Sequence, residues 1–483
     1  MNSPLLKIPL ILGLLSFPSM AGVLPLGPPE HSLVYDRLER IGVLSLDQYD
    51  YQIGPYRFDH APFVFGPLER FEADSPSEIG LFAFTREDFR AAERTRAVGY
   101  EQLRAGLTGE PVENLFLYGS FVLDEELAED EGYHGKRWRG LAGDVQQAFA
   151  HLQGGKINLT FGRFASFWGI RNSLIFSGSQ YMDGFGYTFR WGKLAVSYRL
   201  ARLDGLSPDI DSVAQYENRY LAAHRFDYHF GARLRLGVFE TVVFGGPGRQ
   251  IDLFYLNPLL FYHGTQLNEG TNDNIMIGLD FEVKPKSGLK LYGQLLVDDI
   301  QVDNKTQGDQ EPDEYGLVLG MYAADLAEWL DLKAEYSRVT NWTFNQMLPR
   351  NRYINNGRLI GSAPGNDYDL LSLCLIRWLG DFTATDLQFE YYRQGEGRVG
   401  AEWTAPWTQV TGDYTEPFPT GTVEKTATVA AGFRSFIRNH VFISLESGIS
   451  RIHDFSHVSD DNRTITFLNL QLSAFLIGST RVD

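Results

Sequence analysis

The chain of 483 residues has one cysteine, Cys374, so no intrachain disulfide can form. Beyond its first 21 residues it has no apolar run approaching the length of a membrane-spanning helix, so any crossing of a bilayer must be made by strands. Basic residues are outnumbered, 43 against 61 acidic, and the net charge of -18 argues against nucleic acid as a partner. Chemical motifs are also scarce. GEGRVG, residues 395–400, has the spacing of a dinucleotide loop, but Pro406 soon follows and no helix opens there, so the match fails. Neither H-E-x-x-H nor G-x-S-x-G occurs, and His453, Asp454 and His457 read as a solvated strand end rather than a metal site. No catalytic residue, cofactor or metal is expected.

What the chain has is aromatics at 14%, 49 glycines, and long stretches in which apolar and polar residues alternate. LDLKAEYSRVTNW, from residue 330, sets Leu332, Ala334 and Tyr336 against Lys333 and Glu335. In a soluble sheet the apolar side would pack on a core; in a membrane barrel it meets lipid, and the polar side lines the lumen. The length of the run favours the membrane, because a tilted strand needs about 9 to 11 residues to cross a bilayer.

Sixteen such runs are expected between residues 114 and 477. Tight turns, among them Gly154-Gly155, Gly192-Lys193 and Gly380-Asp381, alternate strictly with long loops such as 245–273, 343–366 and 395–425. That rule belongs to outer-membrane barrels, with short periplasmic turns and long extracellular loops. The fold class is therefore all-β, a transmembrane antiparallel barrel of 16 to 18 strands, the upper count including runs around 63–71 and 79–84. Leu332, Ala334 and Tyr336 are expected to face lipid, as are Leu468, Leu470, Leu472, Ala474 and Leu476 of the last strand.

Residues 1–21 read as a signal peptide: Lys7, an apolar stretch, then Ser19-Met20-Ala21. Residues 22–113 read as an N-terminal helical segment, periplasmic or plugging the lumen, and 114–483 as the barrel. In the first helix Leu33, Val34, Leu38 and Ile41 form one stripe, with Gly42 as its stop. The second would open at Thr85 and Asp88 as a capping box and run to Gly106, carrying Arg86, Arg90, Arg94, Arg96 and Arg104 as the candidate lumen filler.

Loop 395–425 concentrates groups suited to sugars: Arg398, Glu402, Trp403, Trp407, Asp413 and Tyr414, with Phe418 beside them. Aromatic faces stack on sugar C–H groups while carboxylates and guanidinium bond hydroxyls. For Trp403 and Trp407 simple loop packing is an equal alternative; Trp342, at a strand end, reads as part of the interfacial aromatic belt.

GRFASFWGIRNSLIFSGS, residues 162–179, resembles the Trp-Gly and Ser-Leu segment of the capsule-assembly (Wzi-type) outer-membrane proteins. EYSRVTNWTFN, from residue 335, followed by RYINNGRLIGSAPGNDYD, from residue 352, is similar to that family's strand-loop-strand signature. The resemblance implies an 18-stranded, non-enzymatic, lectin-like barrel, closed by its helical segment, whose partners are outer-membrane lipid and a capsular or extracellular polysaccharide held at the cell surface. Two other classes share the barrel features: a porin or substrate channel with an open lumen, and a hydrolase using His263 or His453 with a loop serine. The sequence does not fix the oligomeric state.

Overall fold

The computed structural model describes residues 28–45, 78–92 and 97–481, apart from 131–132, 134, 171, 207–216, 301–309, 362–363, 411–412 and 438–440. The expected signal peptide and the run 63–71 lie outside the described residues.

Eighteen long strands follow one another: β1 (Glu78–Ala92), β2 (Val98–Val112), β3 (Leu115–Asp124), β4 (Leu141–Gly154), β5 (Ile157–Phe167), β6 (Ser177–Trp191), β7 (Leu194–Arg202), β8 (Glu217–His229) and β9 (Leu234–Pro247). The second half comprises β10 (Asn274–Lys286), β11 (Leu289–Asp299), β12 (Glu314–Ala327), β13 (Leu330–Val339), β14 (Tyr368–Gly380), β15 (Thr383–Gln394), β16 (Glu424–Ile437), β17 (Val441–His453) and β18 (Arg463–Arg481). Each pairs antiparallel with the next, and β18 pairs with β1 from Glu78↔Arg481 to Ala92↔Phe467, so the sheet closes on itself and has no free edge. All sixteen strands expected from the sequence are present.

The alternation along β13 resolves as an inside-out pattern. Lys333 and Glu335 point into the lumen, where Lys333 bonds Asp36 and Glu39 and Glu335 accepts from Asn172 and Tyr292. On the neighbouring β14, Leu371, Leu373, Leu375 and Leu379 are exposed on the outer wall, and Leu387 and Phe389 continue this apolar band on β15.

Two expectations are corrected. The barrel begins at Glu78 rather than at Asn114, because residues 85–92 belong to β1 and 98–105 to β2, not to an arginine-bearing helix. Their charges alternate with period two: Arg86 pairs with Asp88 at 2.9 Å, and Arg104 lies over the Phe84 ring. The Thr85/Asp88 capping signal is local, whereas the pairing that makes β1 a strand is with β18, almost four hundred residues away. Long-range closure overrides the local signal.

The lumen is filled from the turn end by a different element, α1 (Pro28–Ser45), which matches the first expected helix and runs three residues past Gly42. Leu33 and Leu38 are buried against Ile376, Trp378 and Phe442 of the inner wall. Around that contact lies a ring of charge. Asp36 takes Lys333 at 2.7 Å and Arg434 at 2.9 Å, Glu39 takes Lys333 at 2.7 Å and Lys290, and Arg40 reaches the fully buried Asp331 at 3.1 Å. The helix C-terminus rests on a turn, with the Lys284 amine donating to the Gly42 carbonyl at 3.1 Å and the Ser287 hydroxyl to that of Leu44 at 2.5 Å. Burial alone would push the Glu39 carboxyl up, but the two lysines outweigh it and hold it at about 2.

Candidate functional site: the loop cap

At the opposite end the long connections turn inward. The loop after β5 drops into the lumen because Gly169 takes φ +85°, a conformation that favours glycine. A Cβ there would stand 2.6 Å from the Asp280 carboxylate and 3.1 Å from the Arg225 guanidinium, in the inner wall's buried network of Arg225, Asp227, Arg235 and Asp280. Trp168 is buried edge-on to Phe176, ring centroids 5.0 Å apart. Gln294 on β11 accepts the Leu174 amide at 2.6 Å, which pins the loop to the wall.

The loop after β13 meets it there. Tyr353 is fully buried and donates its hydroxyl to the Ile175 carbonyl at 2.9 Å, while its ring stacks on Phe344 at 5.8 Å. A two-residue hairpin, Asn356-Gly357 with φ 49° and 70°, folds the chain back so that Ile360 and Gly361 lie along residues 174–177. Leu174, Phe344, Tyr353 and Ile360 thus belong to one apolar core inside the barrel, with Phe239, Met276, Leu296 and Val318 of the wall. The two segments that resemble the capsule-assembly pattern are the two halves of this internal cap.

The third layer is the connection 395–423. Trp342 stands at its centre, with ring centroids 4.8 Å from Trp403 and 5.3 Å from Trp407; those two are 5.8 Å from each other, and Tyr414 is 6.4 Å from Trp407. Glu416 knots the cluster by accepting from Trp342 Nε1 at 2.8 Å, Asn341 Nδ2 at 3.2 Å and the Tyr414 hydroxyl at 3.3 Å. Burial pushes the Glu416 carboxyl above its ordinary value against those three donors. Burial and the neighbouring Glu416 push the Tyr414 hydroxyl up to about 12, so it remains a neutral donor. The glycines of GEGRVG have a steric reason: a Cβ on Gly395 would meet the Asp367 carboxylate at 2.1 Å, and one on Gly397 the Asn341 side chain at 2.0 Å. Asp367 in turn accepts from the amides of Gly397 at 2.8 Å and Thr420 at 2.9 Å.

The expected site residues therefore divide. Trp403, Trp407 and Tyr414 come together; Trp407 is buried as packing, while Trp403 keeps part of its ring at the surface. Glu402 and Asp413 are exposed. Arg398 is turned elsewhere, donating to the Gly395 and Gly397 carbonyls at 2.7 and 2.6 Å and contacting His457 Nε2 at 2.7 Å, which ties this loop to the one after β17. His453 bonds Asn462 instead. Trp342 is the correction: β13 ends at Val339, three residues earlier than expected, so Trp342 leaves the wall and becomes the buried hub rather than part of a lipid belt. Asn341 and Glu416 were not singled out by the sequence, because nothing in their local pattern shows that two loops some 75 residues apart share them.

Between α1 and the cap remains a cavity of about 550 Å³, walled by β13–β18 and β1, with Glu335, Asp386, Glu390 and Glu446 facing Lys333 and Arg434.

These features define an outer-membrane β-barrel of eighteen strands whose lumen is occupied by an N-terminal helix at one end and by its own loops at the other. Residues 127–467 match the family described as capsule assembly protein Wzi, and the chain belongs to that family. Among solved structures, Wzi of Escherichia coli, described as an outer membrane protein involved in group 1 capsule assembly and as a carbohydrate-binding β-barrel, aligns over 94% of this chain and 99% of its own. The TM-score is 0.58 at 12% identity, a likeness of fold. OccD3 (OpdP) of Pseudomonas aeruginosa aligns with TM-score 0.48 and 11% identity, covering 82% of this chain and 91% of its own. OccAB1 of Acinetobacter baumannii gives 0.48 and 9%, covering 83% and 96%. No curated protein matches the chain by sequence.

Proposed function

We propose that the protein binds capsular or extracellular polysaccharide and anchors it at the cell surface, with the outer face of the loop cap as the glycan surface. The observation that carries this reading is the cap itself. Three connections fold into the mouth of the barrel, and there Trp403 keeps partial exposure on a base of Trp342 and Trp407, with Glu402 and Asp413 of the same loop exposed. A part-exposed indole held against two others offers a preorganised face for a sugar ring, and flanking carboxylates accept from its hydroxyls. Arg398, braced by His457, and Tyr414 belong to the same loop. Single contacts of this kind are weak, but a repeating polymer engages many copies on one cell.

The reading is one of binding without turnover. Incubation of the detergent-purified protein with native polysaccharide should capture the polymer and leave its chain length unchanged. Shortening of the chains would support the hydrolase class instead, and no capture would remove the proposal.

A solute channel is the second reading, and the polar cavity of about 550 Å³ is the observation in its favour. With α1 and the cap at its two ends, the intact protein should show little conductance in a planar bilayer; a large steady conductance would move the channel reading to first place.

A further inference from the structure

The connection between β9 and β10, residues 248–273, meets the cap at its foot, where Asn351 Nδ2 donates to the Asn272 carbonyl at 3.0 Å, and then runs away from it. On β8 the residues lining the lumen are odd-numbered, Leu221, Ala223 and Arg225, so Tyr220, Ala222 and His224 point outward; on β9 the outward residues include Val242 and Phe244. These outward side chains are nevertheless buried. What covers them is the 248–273 connection, through Tyr255 and Tyr262, both fully buried. The Phe244 and Tyr255 rings lie 4.7 Å apart, those of His224 and Tyr262 4.3 Å, and the Tyr198 hydroxyl donates to the Tyr255 carbonyl at 2.9 Å.

Depth follows from Glu240, an outward carboxylate near the middle of β9. It accepts from the amides of Tyr262 at 2.9 Å and His263 at 3.3 Å, the first turn of α2 (Tyr262–Glu269), and meets His224 Nε2 at 3.1 Å. Glu240 lies seven residues below the loop end of β9, which is roughly 18 Å for a strand rising about 3.3 Å per residue at a tilt near 40°. Below it Leu236 and Val238 are bare, whereas on β14 the bare apolar wall runs from Leu371 to Leu379. In this sector the loop therefore occupies the loop-side half of the apolar band.

Its outer side carries large apolar residues, interspersed with the exposed Asn257, His263, Asn268 and Glu269. Leu253, Leu259, Phe261 and Leu267 are 80%, 77%, 58% and 71% exposed. Several backbone amides are satisfied within the loop. The Tyr255 amide donates to Asp252, that of Leu259 to the Asn257 side chain, that of Thr265 to Phe261 and that of Gly270 to Gln266. The charged Arg249, Asp252 and Asp273 are gathered in one cluster at the loop's base. Local bonding of these amides lowers the cost of setting the loop against hydrocarbon, and a cluster of large apolar side chains so exposed marks a contact surface.

We propose that residues 248–273 form a re-entrant belt lying against the outer wall in the outer leaflet, with Leu253, Leu259, Phe261 and Leu267 in contact with lipid acyl chains. The occupant is lipid rather than protein because this surface is continuous, at the same height, with the bare strand band.

The test places nitroxide labels at Leu253→Cys, Leu259→Cys and Leu267→Cys, each in a Cys374→Ser background, in proteoliposomes. Leu373→Cys on the bare wall and Glu402→Cys on the cap serve as references, and heat-modifiable migration shows that each variant is folded. Relaxation by oxygen should exceed that by a water-soluble nickel chelate at all three positions, in the ratio found at 373. A ratio like that at 402 would place the loop in water, and protection from both reagents would assign the surface to a protein contact such as a second copy; either overturns the proposal. Three positions keep the test open if one variant fails to fold.

Discussion

A Cβ on Gly361 would stand 2.0 Å from the carbonyl oxygen of Leu174, so the two inward loops touch backbone to backbone at a point where no side chain fits. The contact is possible only because one partner is glycine, and it joins the two halves of the internal cap. Gly361→Ala forces one loop away from the other, with an expected loss of about 1 to 3 kcal/mol, typical of overpacking in a tight interior. Proteolysis should then cut within the loop after β13 while the barrel keeps its heat-modifiable migration. Resistance equal to the parent protein would show that the contact relaxes without consequence.

Arg40→Ala removes one ionic partner of Asp331, a carboxylate with no exposure, leaving the Tyr322 hydroxyl at 2.6 Å and Trp378 Nε1 at 2.9 Å as side-chain donors. Breaking a buried pair from one side costs about 3 to 5 kcal/mol. The seating of α1 should weaken accordingly, seen as faster hydrogen exchange in residues 28–45 and a rise in single-channel conductance.

Acid should act on the same helix. The Glu39 carboxyl is held at about 2 in the fold against an ordinary value of 4.5, so its contribution is full above the ordinary value and is lost as pH falls through that interval. Hydrogen exchange in α1 should therefore accelerate between about pH 5 and pH 2, and Glu39→Gln should flatten much of that dependence. An unchanged profile in the variant would assign the acid response to other groups.

Much of this architecture could be read from the chain because a barrel strand is a local pattern with period two, repeated and punctuated by turns. Leu371, Leu373 and Leu375, bare on the outer wall, are as legible in sequence as in structure. Closure is not local, which is why β1 and β2 read as a helix: their charges carry a capping signal, while the partner that overrides it lies at the far end of the chain. The loop cap was legible only as composition. Trp403, Trp407 and Tyr414 could be seen as neighbours in sequence, but Trp342 and Glu416 join them through contacts between separate loops, and the inward turn at Gly169 depends on the charged wall it approaches. The descent of residues 248–273 down the outer wall left no signal beyond an unusually leucine-rich long loop.

Trp342 and Trp403 should separate stability from recognition. Trp342→Ala empties the hub of the aromatic cluster and strips Glu416 of its closest donor, with an expected loss of about 3 to 5 kcal/mol in the cap. Trp403→Ala, at the part-exposed edge, should leave protease resistance of the loops near that of the parent and lower polysaccharide capture. Equal effects of the two substitutions on resistance would make Trp403 a packing residue as well.

The central claim is that the outer face of the cap holds polysaccharide, and the most direct measurement is the division of polysaccharide between cell surface and medium for Glu402→Ala/Trp403→Ala. With surface expression and heat-modifiable migration both normal, the surface-retained fraction should fall and the free fraction rise by a matching amount. Retention equal to that of the parent protein would contradict the assignment of this face as the glycan surface.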